Sequence, residues 1–413
     1  MPITLDRRTR SDADITHVTP DQFFADHFPA LAARHGNLVV AGMKHLAARP
    51  LAIVVSDRAW TFTPTDDTIT VVDGIAENAL VVTLTDAHFS EWVQQQRTFN
   101  ALVVGREMRS RNGNERDISV WDSLWMTMLE GWPVVDDDIC FVDRHGLPLE
   151  LERIFTPADD PADVAHFVRE AGFLHLRGWV DPELMATVSA DINRAVPTYV
   201  RGDGKSWWAT VADGTLRCVR LQDFLEHSPT TEAILRSDAW DLLRRTVGGD
   251  DALVQAPVEG RCIEALIKPI GVVSGPSDVS FHRDCHFGRH AYDCSRATVG
   301  IAVTATSEQN GMLRVVAGSH RFAMPVEVAK TAPYLPVVGI PTEPGDLTLH
   351  LSCTLHESTP PKIAERKVMY GGEFKLAPRS SANAPSVAAL SDLRERVFEI
   401  LLDERAEVSP VRT

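Results

Sequence analysis

The sequence is poor in cysteine, in clustered basic residues and in long apolar runs. Its 413 residues include 6 cysteines, and none of these form a CxxC pair or a zinc-finger spacing. This disfavours a disulfide scaffold and a structural zinc site. The formal net charge is −16, from 41 Lys and Arg against 57 Asp and Glu. Without clustered Lys and Arg, we expect neither a nucleic-acid surface nor adsorption to an anionic membrane.

The remaining composition is typical of a globular protein. Hydrophobic residues make up 44% and charged residues 24% of the chain, which excludes a mainly disordered protein. No window offers the roughly 18 uncharged apolar residues of a membrane helix, and the first residues contain no apolar signal segment. We therefore expect a cytoplasmic protein with reduced thiols and no membrane insertion. The length exceeds one ordinary core and predicts two domains.

An acidic segment divides the chain. Residues 134–163 hold nine acidic and two basic residues and are interrupted by three prolines. This composition predicts a connection that separates two folded parts. The predicted boundaries are an irregular N-terminus at 1–30, a mixed α/β domain at 31–135, an acidic linker at 136–160, a larger domain at 161–378 and a C-terminal helical segment at 379–413.

Hydrophobic spacing predicts the elements of both parts. Helices are expected at Asp86–Gln96, Ser119–Met128, Pro161–Gly172, Asp181–Ala195 and Ser386–Glu404. Strands are expected at Asn37–Val40, Leu51–Val55, Trp60–Phe62, Thr68–Val72, Ala79–Leu84, Phe173–Leu176, Cys262–Ile270, Ala297–Val303, Met312–Val316, Leu347–Leu351 and Lys367–Phe374. The many short strands after residue 260, separated by Gly, Pro, Asp and Ser, are typical of a sandwich or barrel of the jelly-roll type.

A His-x-Asp triplet lies at the start of this strand-rich part. In a strand, His282 and Asp284 would point to one face, because side chains at i and i+2 do so. Two histidines and one carboxylate on one face of an octahedron leave three positions open, as in non-haem Fe(II) oxygenases. The triplet alone is weak, since a chain with 15 histidines contains about one such triplet by chance.

Other motifs surround the triplet in a fixed order. Residues 167–178 have a helix–glycine–strand pattern, and residues 311–321 have the sequence Gly-Met-Leu-Arg-Val-Val-Ala-Gly-Ser-His-Arg. Gly345-Asp346 then precedes an apolar run, and His356-Glu-Ser is followed by Arg366. With this order of motifs, residues of about 160–378 resemble the phytanoyl-CoA dioxygenase (PhyH) family of Fe(II)- and 2-oxoglutarate-dependent oxygenases.

The resemblance implies a fold and a metal site. The fold class would be α+β, with a C-terminal double-stranded β-helix (jelly roll) and flanking helices beside a smaller mixed α/β N-terminal domain. His282, Asp284 and His356 would bind Fe(II), and 2-oxoglutarate and O2 would be cosubstrates. The same residues would be the catalytic centre.

The resemblance also implies a site for the far carboxylate of 2-oxoglutarate. Arg366 would pair with that carboxylate, for which a planar bidentate cation is well suited. Ser358 would add a hydroxyl, and Lys268, upstream of the triplet, is a third residue predicted to bind the cosubstrate. Gly300 stands where many relatives have a large aromatic residue, which predicts a rebuilt wall in this pocket.

Several residues have a second interpretation. His286 and His290 lie close to the triplet and are alternative ligands or plain loop residues. His350 competes with His356, but it lies inside an apolar run and no arginine follows ten residues later. Trp207 and Trp208 fit either the entrance to a substrate site or ordinary core packing.

The implied activity is hydroxylation of an unactivated C–H bond in a small, hydrophobic or natural-product-like substrate. Halogenases related to the family have Gly or Ala in place of the metal-binding Asp, so Asp284 favours oxygen insertion or desaturation. Desaturation or ring formation by the same mechanism is an alternative. Two alternative functions come from other classes: a lipid or metabolite carrier without activity, and a cupin-like isomerase with another metal. Neither of these functions needs the intact triad together with Arg366.

Residues of about 35–135 contain no catalytic constellation. Their pattern of strands followed by an Asp86–Gln96 helix faintly resembles sterol-carrier (SCP2-like) domains, which enclose an apolar tunnel. The resemblance implies either a site for an acyl or polycyclic molecule or a surface for a homodimer. Core packing alone accounts equally well for the aromatic residues Phe89, Trp92, Trp121 and Trp125.

Overall fold

The computed structural model describes residues 16–376, apart from gaps at 95–96, 249–252, 255–257, 259–262, 278–279 and 288–295. The predicted helix at Ser386–Glu404 lies outside the described residues. In the described part, no helix is both long and apolar enough to cross a membrane.

The N-terminal part is a five-stranded mixed sheet with helices packed on it. Its strands are β1 Leu51–Val55, β2 Arg58–Pro64, β3 Ile69–Asp73, β4 Leu80–Leu84 and β5 Arg109–Arg111. Its helices are α1 Pro20–Gln22, α2 Phe28–Leu46, α3 Asp86–Val93, α4 Phe99–Val104 and α5 Glu115–Glu130. The strand order is β3-β2-β1-β4-β5. β1 and β4 are parallel, and the other neighbours are antiparallel. An SCP2-like fold remains a prediction.

The start of the chain differs from the prediction. Residues 20–46 are helical, so the irregular N-terminus predicted at 1–30 is wrong for residues 20–30, and the strand predicted at Asn37–Val40 is wrong. Thr19 begins the helical segment with a capping box: its hydroxyl accepts from the Gln22 amide, while the Gln22 side chain accepts from the Thr19 amide. The local β preference of the Val39-Val40 pair is overridden because both side chains are buried along α2.

The described residues of the larger part form two sheets. Its strands are β6 Ile154–Phe155, β7 Phe173–Leu176, β8 Ser206–Val211, β9 Leu216–Leu221, β10 Leu253–Val254, β11 Glu264–Lys268, β12 Val272–Ser274, β13 Arg296–Ala302, β14 Leu313–Val316, β15 Val337–Ile340, β16 Leu347–Leu351, β17 His356–Ser358 and β18 Arg366–Leu376. Its helices are α6 Pro161–Ala171, α7 Leu184–Ala195, α8 Pro229–Leu235, α9 Asp238–Gly248 and α10 Val326–Ala329.

The ten-stranded sheet has the order β12-β8-β9-β11-β18-β13-β16-β7-β6, with β10 paired to β18, and the three-stranded sheet has the order β15-β14-β17. The α+β class is therefore confirmed, while closure into a double-stranded β-helix remains a prediction. The predicted strand at Leu347–Leu351 matches β16, and the helix predicted from Asp181 begins at Leu184.

The acidic connection is more ordered than a free linker. Its strand β6 pairs with β7 at one end of the large sheet, and Val142 forms a bridge with Pro148. Arg144 lies between Asp160 and Asp163 and bonds to both carboxylates. Local pairing thus offsets part of the negative charge in this segment.

The apolar core of the N-terminal part extends into the larger part. The core of the N-terminal part also contains Phe322, Met324, Leu335 and Leu355, which belong to the larger part in sequence. Phe322 and Leu355 are at most 2% exposed. The described residues therefore pack as two connected cores rather than as two independent modules.

Asp346 joins the start of β16 to β7. Its buried carboxylate accepts from Arg177 Nε at 2.9 Å and Arg177 Nη2 at 2.7 Å, and lies 3.1 Å from His175 Nε2. The hydrogen bonds from His175 and Arg177 outweigh the effect of burial and lower the pKa of Asp346 to about 2. Asp346 thus contributes electrostatic stability while it is ionised.

We expect Asp346→Asn to lower the free energy of unfolding by about 2 kcal/mol at neutral pH. Because the folded-state pKa lies below the unfolded value, this contribution is present above about pH 4. It is lost as pH falls toward 2. Urea unfolding between pH 7 and pH 3 checks this, with the exposed Asp67→Asn as control. A difference from wild type that stays constant over this range would contradict the ionic role.

Candidate metal centre

The three predicted ligands converge where a loop meets the small sheet. His282 and His356 exchange backbone hydrogen bonds, with N–O distances of 3.0 and 3.1 Å. Asp284 begins a 3-10 turn at Asp284–Phe287. One ligand atom from each of the three side chains lies within 4.8 Å of the others. The predicted strand geometry of the triplet is wrong, because His282 forms an isolated bridge; the turn nevertheless brings Asp284 beside both histidines.

Backbone carbonyls orient both imidazoles. His282 Nδ1 lies 2.9 Å from the Ser280 carbonyl oxygen, and His356 Nδ1 lies 2.9 Å from that of Thr354. A carbonyl oxygen can only accept, so each Nδ1 carries the proton when the imidazole is neutral. Each Nε2 then presents a lone pair, and these atoms lie 3.6 Å (His282) and 3.7 Å (His356) from Asp284 Oδ1. Second-shell bonds of this kind are usual for metal-binding histidines.

The charges of the site suit a divalent cation. Burial and the neighbouring histidines lower the pKa of His356 well below its ordinary value, so its imidazole is neutral. Burial opposes ionisation of Asp284, but the hydrogen bond from His350 holds its pKa well below its ordinary value. Two imidazoles and one carboxylate form the donor set typical of non-haem Fe(II). His282, Asp284 and His356 therefore fit the metal that the sequence predicted.

Arg283, between the two ligands of the triplet, fastens this loop to the protein. Its side chain is 1% exposed. Its guanidinium donates to the carbonyl oxygens of Cys353 at 3.0 Å and Met324 at 2.8 Å, and more weakly to those of Ser319 and Phe322. Burial lowers the pKa of Arg283 to about 10, while nearby Cys285 and Asp122 oppose that shift. The side chain remains charged at neutral pH.

The predicted cosubstrate residues also lie together. Arg366 Nη1 donates to Ser358 Oγ at 2.6 Å, and Lys268 Nζ donates to the same oxygen at 2.9 Å. Lys268 also donates to the carbonyl oxygens of Ser358 and Thr359. Arg366 and Lys268 are register partners on β18 and β11. Both side chains are buried, so two cations and a hydroxyl converge where an anion could bind.

Two glycines shape this cationic site. Gly311 has φ +70°, and a Cβ there would lie 3.1 Å from Arg366 Cδ and 3.2 Å from the Thr359 carbonyl oxygen, so glycine leaves the arginine its place. Gly300 is the register partner of both Thr348 and Tyr370 on its two neighbouring strands. A Cβ on Gly300 would lie 3.5 Å from the Tyr370 ring.

The remaining histidines and tryptophans singled out in the sequence have other surroundings. His320 lies 2.8 Å from the Arg169 carbonyl oxygen, at a turn. His286 belongs to the turn after Asp284, and His290 lies outside the described residues. Trp207 is buried, and the Arg220 guanidinium carbon lies 4.2 Å from the centroid of the Trp207 ring. This contact indicates core packing. Trp208 is partly buried and donates to Ser206 Oγ at 2.8 Å.

Sequence reasoning gave no role at the site to Arg283 or Thr298, and it considered His350 only as a ligand competing with His356. Thr298 donates to Asp284 at 3.1 Å, and His350 lies 3.3 Å from the same carboxylate oxygen. Alternation along β16 could have indicated that His350 and Thr348 point to one side of the sheet. No local signal could show which residue of another strand they meet.

The comparisons agree with the motif order. Residues 168–365 match the model of the phytanoyl-CoA dioxygenase (PhyH) family. This segment is therefore a PhyH-family domain, which confirms the resemblance drawn from the motifs. The match supports an enzyme of the class that depends on non-haem iron and 2-oxoglutarate. No curated protein matches the sequence.

The solved structures that match this chain are distant from it in sequence. AviO1 from Streptomyces viridochromogenes Tue57 is 21% identical over 55% of this chain and 98% of its own, with a TM-score of 0.43. SnoN, an alpha-ketoglutarate-dependent epimerase from nogalamycin biosynthesis, is 21% identical over 53% and 82%, with a TM-score of 0.41. EctD from S. alaskensis with bound Fe is 17% identical over 59% and 87%, with a TM-score of 0.42.

We expect Arg283→Met to lower the free energy of unfolding by about 3–5 kcal/mol, because it leaves buried carbonyl oxygens and Asp122 without their cationic partner. Urea unfolding followed by tryptophan fluorescence measures the change. Arg217→Met, at a half-exposed surface ion pair, is the matched control and should change stability by less than about 1 kcal/mol. Equal effects of the two substitutions would show that Arg283 does not fasten the loop.

Proposed function

We propose that this chain is an Fe(II)- and 2-oxoglutarate-dependent oxygenase that hydroxylates an unactivated C–H bond of a small, hydrophobic or natural-product-like molecule. The family match of residues 168–365 supports the class of enzyme. Asp284 supports hydroxylation over halogenation, because the related halogenases lack this carboxylate.

The observation that carries the proposal is the relation between the triad and the cationic site. His356 and Ser358 are two residues apart on β17, so their side chains share one face of the strand. His356 points to Asp284, and Ser358 points to Arg366 and Lys268. A metal at the triad and a carboxylate at Arg366 would thus be separated by one strand repeat, which suits a short dicarboxylate that binds at both ends.

Each residue then has a defined task. His282, Asp284 and His356 hold the metal, and the carbonyl oxygens of Ser280 and Thr354 keep the imidazoles turned toward it. When bound, Fe(II) supplies the chemistry of O2 activation coupled to decarboxylation of 2-oxoglutarate.

Arg366 holds the far carboxylate of 2-oxoglutarate in the proposed complex. Its Nε is buried and has no hydrogen-bond partner among the described residues, so a donor is available for that ligand. Ser358 and Lys268 orient the same end of the cosubstrate.

We expect wild-type protein to show a visible metal-to-ligand charge-transfer band when Fe(II) and 2-oxoglutarate are added without oxygen. His282→Ala should abolish the band because it removes a ligand, whereas the exposed His145→Ala should leave it unchanged. Absence of the band in wild type, or its persistence in His282→Ala, would rule out the proposed centre.

We expect Arg366→Ala to weaken 2-oxoglutarate binding by about 100-fold, the cost of roughly one charge-assisted bidentate contact. Fe(II) binding should change little, because Arg366 is not a ligand. Anaerobic titrations of each ligand measure the two affinities, with Arg217→Ala as control. Equal losses of iron and cosubstrate affinity would contradict the role of Arg366.

The substrate can be found by screening small hydrophobic compounds for succinate release that depends on the compound. A product that has gained one oxygen atom supports hydroxylation. A product that has lost two hydrogens instead indicates desaturation or ring formation and would overturn the hydroxylase assignment while keeping the reaction class.

A further inference from the structure

The two oxygens of Asp284 have different surroundings. Oδ1 faces the other ligands, 3.6 Å from His282 Nε2 and 3.7 Å from His356 Nε2. Oδ2 accepts a hydrogen bond from Thr298 Oγ1 at 3.1 Å and lies 3.3 Å from His350 Nε2. One oxygen is therefore directed at the metal position, and the other is bound to the sheet.

The two groups at Oδ2 are held by the fold itself. Thr298 on β13 and His350 on β16 are register partners in antiparallel neighbouring strands. His350 is 1% exposed, and its ring lies against that of His356 with 3.9 Å between centroids. These contacts fix the position of the His350 ring before any ligand arrives.

The tautomer of His350 follows from its partners. Its Nδ1 is buried and has no hydrogen-bond partner among the described residues. Its Nε2 lies 3.3 Å from Asp284 Oδ2, a carboxylate oxygen that accepts hydrogen bonds. Nε2 therefore carries the proton and donates to Asp284, and the same nitrogen is then not available as a metal ligand.

We propose that Thr298 and His350 form a clamp that keeps Asp284 a one-oxygen ligand. A carboxylate can bind a metal through one oxygen or through both, and a second bond would take one of the three open positions. Two donors on Oδ2 hold that oxygen away from the metal and leave these positions to 2-oxoglutarate and O2. The clamp rests on the proposed function, and its two members act as positioning residues.

Thr298→Val in the full-length protein tests the clamp, because valine keeps the shape of threonine and removes the hydroxyl donor. Thr298→Ser keeps the hydroxyl and is the matched control. We expect Val to weaken Co(II) binding about 10–100-fold and to alter the visible Co(II) spectrum, which reports coordination number, while Ser retains wild-type behaviour. His350→Gln, which keeps an N–H donor, should bind Co(II) more tightly than His350→Leu.

The thermal unfolding midpoint in the presence of a chelator shows whether each variant folds without metal. Wild-type affinity and spectrum in Thr298→Val would overturn the clamp while leaving the proposed function intact. Equal losses in Thr298→Val and Thr298→Ser would also overturn it, because the hydroxyl would then not be the cause. Failure of wild type itself to bind Co(II) or Fe(II) would remove both the clamp and the proposed function.

Discussion

The candidate metal centre depends on a buried cation that is not itself a ligand. Arg283 lies between the two ligands of the triplet, and its guanidinium donates to carbonyl oxygens of two separate segments, 319–324 and the turn at Cys353. The second of these segments leads directly into β17, which carries His356. One side chain therefore connects the loop of His282 and Asp284 with the strand of the third ligand. Since a buried guanidinium without partners is costly, these segments are constrained together.

The same region joins the two parts of the chain. Phe322 and Met324 supply two of the carbonyl oxygens that Arg283 binds, and both side chains lie in the core of the N-terminal part. Asp122 on α5 lies close enough to Arg283 to affect its pKa, and it accepts the Phe99 amide at 2.8 Å. The N-terminal part thus packs against the loop that carries His282 and Asp284. A separate carrier domain on a free linker would not have these contacts.

Much of the larger part could be predicted from local pattern. The run at Leu347–Leu351 was predictable as a strand because it is short, rich in aliphatic residues and flanked by turns. It is mostly buried on both faces, as such a run predicts. The helix α5 was evident from Trp121, Leu124, Trp125 and Met128 at helical spacing. The ligands, Arg366, Ser358 and Lys268 were identified through the family resemblance, and the structure brings all of them into two adjoining clusters.

The remaining features depend on contacts between distant residues. Val39 and Val40 favour a strand locally, but packing of α2 against α5 makes them helical. His350 was considered as a competing ligand. Nothing near it in sequence shows that its Nε2 lies beside the Asp284 carboxylate. The triplet was expected in a strand but lies at a turn. This turn could not be predicted locally, because the carbonyl oxygens that Arg283 binds there lie about 36 to 70 residues away in sequence.

Anomalous X-ray scattering at the iron edge, from crystals grown with Fe(II) and 2-oxoglutarate in the absence of oxygen, tests the assignment most directly. We expect one iron bound by Nε2 of His282, Nε2 of His356 and a single oxygen of Asp284, with a dicarboxylate that extends to Arg366. Iron at another position, or iron bound by His350 in place of His356, would contradict the assignment.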